Sequence, residues 1–90
     1  MSESQAEPTA EQLFEQLRQA KVADLLAPTC SLLGSLAFAK LEPEARDLEE
    51  ARLAIDALTA LVPLLADGPR RDVQQMVANL QLAYAEAAGA

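Results

Sequence analysis

Between Asp47 and Leu65 the apolar residues fall at Leu48, Ala51, Ile55, Leu58, Val62 and Leu65. Their spacing alternates between three and four, which sets one side chain per turn on a single face of a helix. A helix with such a stripe must bury it, and the rest of the chain offers helical partners for the burial. Hydrophobic residues make up 51% of the chain but aromatic residues only 3%, with one isoleucine, two phenylalanines and no tryptophan. Ala, Leu, Glu, Gln and Arg favour helices, and strand formers are scarce. The fold class expected is all-α, a small helical bundle ending in an antiparallel αα-hairpin.

Ninety residues hold a single domain, expected over 9–88. A core from a chain this short contributes only about 3–5 kcal/mol and is usually supplemented. The lone Cys30 cannot form an internal disulfide and no metal-ligand cluster is present, so the expected supplement is a homodimer.

The formal charge is −7, from 14 acidic and 7 basic residues, and Glu3, Glu7, Glu11 and Glu15 all precede the first cation, Arg18. Nucleic-acid binding needs clustered Lys and Arg, and here only Arg70-Arg71 are adjacent, so no nucleic acid is expected as a partner and a macromolecular partner is expected to be apolar or basic. The first eight residues are polar and acidic, without the positive flank or apolar run of a targeting segment, and are expected to be a disordered arm. The compartment expected is the cytoplasm, in keeping with one unpaired cysteine.

Thr9-Ala10-Glu11-Gln12 reads as a capping box opening a first helix, on which Leu13, Leu17 and Ala20, with Phe14 and Lys21 alongside, form a short amphipathic stripe. No charge occurs from Leu25 to Ala39, and Pro28 inside this run implies a kink or a restart; the simpler reading is a new helix starting there and carrying Leu32, Leu33 and Leu36 to about Lys40. Asp47 caps a third helix whose first turn holds Glu49 and Glu50. Arg46 with Glu50, Glu49 with Arg52, and Arg52 with Asp56 stand at ion-pair spacing. Pro63 should bend the last turn of that helix. Asp67-Gly68-Pro69 predicts a stop, with Gly68 in the left-handed conformation, and a restart at Pro69. The closing helix, to about Ala87, sets Val73, Met76, Val77, Leu80, Tyr84 and Ala87 toward the Leu48 to Leu65 stripe.

No residue set points to catalysis. The chain has no histidine, so Cys30 has no base to activate it and reads as a buried structural residue. Glu42, Glu44, Asp47, Glu49 and Glu50 could offer oxygen ligands but lack the spacing and central glycine of a calcium loop. The expectation is therefore a non-enzyme with no metal and no cofactor. Ala27, Ser31, Ser35 and Ala39, with Gly34 beside them, form a strip without bulk that suits a close helix crossing, either within the fold or between two copies. Arg70-Arg71 reads as a solvated pair offset by Asp67 and Asp72. The charge-free run falls short of the roughly 18–20 residues of a membrane span, so membrane association is not favoured.

The segment Asp47-Leu48-Glu49-Glu50-Ala51-Arg52-Leu53-Ala54-Ile55-Asp56-Ala57-Leu58, after an apolar helix and a Pro-acid loop and before Leu80-Gln81-Leu82-Ala83-Tyr84, resembles the domain-of-unknown-function 1844 family of small bacterial helical proteins. The resemblance covers roughly residues 22–85. Two features depart from that family: Lys40-Leu41-Glu42-Pro43 lacks a glycine before the loop proline, and the helix expected from Thr9 to Ala27 is additional. The resemblance implies a cytoplasmic helical protein and hands over no activity and no site residues.

The function expected is a helical interaction module that self-associates through apolar helix faces. The candidate packing and self-association residues are Leu48, Ile55, Leu58, Val62, Leu65, Val73, Val77, Leu80 and Tyr84, with Ser31, Gly34 and Ser35. An acidic adaptor for a basic, translation-associated protein and weak membrane-surface association are the alternatives.

Overall fold

Thr9 opens the first helix as its sequence predicts. In the computed structural model, which describes residues 9–89, the Gln12 amide donates to Thr9 Oγ1 at 3.1 Å and the Thr9 amide donates to Gln12 Oε1 at 2.9 Å. The arm expected over residues 1–8 lies outside the described residues. Four helices follow one another: α1 (Ala10–Gln19), α2 (Val22–Leu41), α3 (Leu48–Leu61) and α4 (Asp67–Gly89), with short 3-10 turns at Pro43–Ala45 and Val62–Leu64. No strand occurs among the described residues.

The first helix ends earlier than expected. The break falls at Ala20-Lys21, both in extended conformation, and Pro28 sits inside a continuous α2. Proline in a helix interior removes the bond to the carbonyl four residues back, here Asp24. Both residues lie on the exposed side of α2, where water can replace what is lost.

Two arginines close the turns between the remaining helices. Arg46 Nη2 donates to the Leu41 carbonyl at 3.3 Å, and Arg70 Nη2 donates to the Leu65 carbonyl at 2.8 Å. In both cases the side chain reaches back five residues to an orphan carbonyl at the end of the preceding helical segment. This engagement takes Arg46 away from Glu50, and none of the three ion pairs predicted from spacing on α3 closes among the described residues. Asp47 caps α3 by accepting the Glu50 amide at 3.1 Å. Pro63 lies in the 3-10 turn that extends α3.

The turn into α4 corrects a second expectation. Gly68 has no positive φ; it and Pro69 lie in the first turn of α4, which begins at Asp67. The chain is redirected one turn earlier by the extended Leu65. Pro69 is tolerated at its position because a first-turn amide has no helical partner to lose.

The core lies among α2, α3 and α4. It joins Cys30, Ala37 and Leu41 of α2, Ala51, Ala54, Ile55 and Leu58 of α3, Leu65 of the turn, and Val73, Val77, Leu80 and Ala87 of α4. Leu48, Val62, Met76 and Tyr84 pack around it, half-buried. The stripe from Leu48 to Leu65 thus faces inward along its length. Gly34 is also buried, and a Cβ built on it would overlap Met76 Sδ and stand 2.8 Å from Met76 Cε. The missing side chain at Gly34 is what lets α4 lay Met76 across α2.

The first helix takes no part in this core, since none of its residues is buried. The described residues extend over 49 × 36 × 17 Å with a radius of gyration of 16.7 Å, against about 12 Å for a compact domain of similar length.

Candidate interaction surface

α2 carries no charge from Leu25 to Ala39 and is apolar on more than one face, yet it buries one face only. Cys30, Gly34, Ala37 and Leu41, at helical spacing, point into the core. Leu25, Leu32 and Leu36 recur at the same spacing on the opposite face, and all three are exposed, Leu32 by 71%. A helix so apolar is normally enclosed in a folded protein. Here one side of it faces solvent.

α3 widens the exposed face. Leu53 is 63% exposed, and with Leu33, Leu36, Glu50, Ala54 and Ala57 it lines an open hollow of about 110 Å³ between α2 and α3. The expectation that Leu32 and Leu36 supply the packing weight of the second helix is therefore corrected. Leu33 packs against the core, while its two neighbours on the stripe belong to the surface.

The residues expected to drive self-association are divided by the structure. Leu48, Ile55, Leu58, Val62, Leu65, Val73, Val77, Leu80 and Tyr84 are all used within the chain, because the α3 and α4 stripes meet each other and α2. They are consumed by the fold and do not present themselves to a partner. Of the small-residue strip only Gly34 reaches the core; Ser31 and Ser35 are exposed on the outer side of α2. Sequence reasoning passed over Leu25 and Leu53. Their signal was present in the second stripe of α2, half a turn around from the buried one.

A second, more polar groove lies between α3 and α4, lined by Arg52, Ile55, Asp56, Gln81 and Tyr84. It mixes both charge signs, with a volume of about 260 Å³. Glu42, Glu44, Glu49 and Glu50 are exposed, and Asp47, exposed as well, is engaged as a helix cap. No cluster of three or more metal-ligating side chains forms among the described residues. Arg71 is exposed, whereas Arg70 is drawn into its turn with Asp67 Oδ1 at 3.4 Å, which replaces the solvated-pair reading for that residue.

Cys30 is fully buried, and desolvation pushes its thiol above the usual range. A raised thiol pKa favours the protonated native state, so this contribution to stability is intact below the unfolded value of 9.0 and fades as pH climbs through the higher folded value. Alkylation of Cys30 at pH 8 should run at least about a hundredfold slower in the native protein than in denaturant, since attack needs both thiolate and access. Equal rates would place the residue outside the core.

By length and composition α2 also meets the requirements for a membrane span: it has 20 residues, and an 18-residue window has mean hydropathy 1.5 with 17% of it buried. The chain is thus an all-α protein of four helices with a three-helix core and a broad exposed apolar face. No family model, no curated protein and no solved structure matches it.

Proposed function

We propose that this chain is a non-enzymatic interaction module that pairs with a second copy of itself through the outer face of α2 and α3. The observation that carries the reading is the second stripe of α2, Leu25, Leu32 and Leu36, continued by Leu53 of α3 and left exposed by the described residues. Contiguous exposed apolar surface of this kind marks interaction sites in soluble proteins. The cytoplasm is the compartment that goes with it, and no step of the proposal calls for a cofactor.

Leu32→Glu combined with Leu53→Glu tests it. Both side chains are more than three-fifths exposed, so the substitutions leave the core alone. Sedimentation of the parent chain at micromolar concentration is expected to give a dimer, and the double variant a monomer with unchanged helicity. A parent chain that stays monomeric at these concentrations overturns the reading.

Two observations favour other partners. The hydropathy and low burial of α2 support weak association with a membrane surface, and a bound fraction in liposome flotation that displaces the dimer would establish it. Exposed Glu42, Glu44, Glu49 and Glu50, with the net charge of −7, support an acidic adaptor for a basic protein. Salt-sensitive recovery of basic proteins is its signature.

A further inference from the structure

Two apolar surfaces in this chain lack a partner, and their shapes differ. One is the ridge of Leu13, Phe14 and Leu17 on α1, each side chain between 47% and 63% exposed. The other is the hollow between α2 and α3 at Leu33, Leu36 and Leu53. We propose that α1 is an exchange arm: the ridge of one copy seats in the hollow of a second copy, and the second copy's arm seats in the first. This rests on the self-association proposed above and names the element that accomplishes it.

The ten-residue α1 buries nothing, and helices shorter than about 12–15 residues are marginal in water without a surface to pack on. The capping box at Thr9 fixes its start but supplies no packing. The arm therefore needs an apolar bed. An enclosed cavity of about 150 Å³ takes a benzene-sized guest, so the hollow of about 110 Å³, open on one side, suits the ring of Phe14 or the end of Leu17.

Chain geometry decides between the copy's own hollow and its neighbour's. At 1.5 Å per residue, Phe14 lies roughly 9 Å from the Ala20-Lys21 hinge, whereas Leu33 and Leu36 lie roughly 18 to 24 Å along α2 from the same hinge. An arm folded back on its own α2 would bring Phe14 level with Pro28 and Thr29 and leave the hollow empty. A second copy has no such restriction. Reciprocal seating also closes the assembly at two copies, whereas a one-way contact would propagate.

The area is adequate. The exposed large apolar side chains of α1, α2 and α3 offer on the order of 1,000 Å² per copy, and a standard stable interface takes about 800 Å² from each partner.

The test uses the full chain with Cys30→Ala as background. One preparation carries Phe14→Cys and another Leu53→Cys; the two are mixed and oxidised. A disulfide joining the two different chains is expected. In the background carrying both substitutions, at concentrations where the parent chain is dimeric, crosslinked dimers are expected, and a crosslink closing within one chain would overturn the proposal. Phe14→Glu with Leu17→Glu, which touches no buried residue, is expected to raise the dimer dissociation constant about thirtyfold or more. If that variant dimerises like the parent while Leu32→Glu with Leu53→Glu is monomeric, self-association stands and the arm is refuted. If the parent is itself monomeric, both proposals fall.

Discussion

Leu58→Asp should leave the chain unfolded at 25 °C, with loss of the far-UV helical signal and no cooperative thermal transition. Leu58 is 0% exposed and sits where α3 meets the rest of the core. A carboxylate there has no cation or donor to meet it, because no charged or polar residue is buried among the described ones. An uncompensated buried charge costs more than about 4 kcal/mol, as much as a core of this size contributes in total, about 3–5 kcal/mol. Leu53→Asp is the matched control, with the same substitution five residues earlier in the same helix. Leu53 is exposed in the single chain, so at concentrations too low for copies to pair that change should alter stability by no more than about 0.5 kcal/mol. Comparable losses from the two would mean that α3 is rotated from the orientation described.

The second large effect is expected at Gly34. Gly34→Leu places four carbons where Met76 already lies, and overpacking of this kind costs about 1–3 kcal/mol. Gly34→Ala is a gentler case. Alanine gains nearly 1 kcal/mol of helix propensity over glycine, while the atoms it meets are the mobile end of Met76, so the two effects nearly cancel. Chemical denaturation of Gly34→Leu, Met76→Ala and the double variant forms a cycle. The double variant should be more stable than the sum of the two single losses by about 1 kcal/mol or more, since one substitution removes the atoms that the other displaces. Additive losses would mean that Gly34 and Met76 do not meet.

The sequence announces those elements whose signals are local. Thr9 and Gln12, and Asp47 with Glu50, lie three residues apart and close their caps without help from the rest of the fold. The α3 stripe is legible because polar residues flank it on the other side. α2 is illegible for the opposite reason: with apolar residues on two opposite faces, periodicity cannot tell the buried stripe of Cys30 and Ala37 from the exposed one of Leu25 and Leu32. Only the positions of α3 and α4 decide it. Pro28 misled because proline is usually a boundary, yet α2 continues through it while the chain breaks at Ala20-Lys21, where neither glycine nor proline gives warning. Arg46 shows why spacing overpredicts ion pairs. A carbonyl orphaned at a helix end competes with the carboxylate, and here it wins.

The interaction surface was half legible. The small residues of α2 were visible as a strip, but the structure takes Gly34 inward and leaves Ser31 and Ser35 outside. The candidates on α3 and α4 lie in or against the core of the single chain. What remains for a partner is the set of leucines that three helices cannot enclose.

The two arginine-fastened bends also bear on the order of events in folding. α2, α3 and α4 are consecutive, joined by connections of six and five residues, so their core closes over short loops, with α4 also returning onto α2 where Met76 meets Gly34. Helical topologies of this kind collapse within microseconds to milliseconds. Encounters between chains, by contrast, slow with dilution. Each molecule would then finish its own interior first and meet its counterpart afterwards, with concentration setting the pace of assembly.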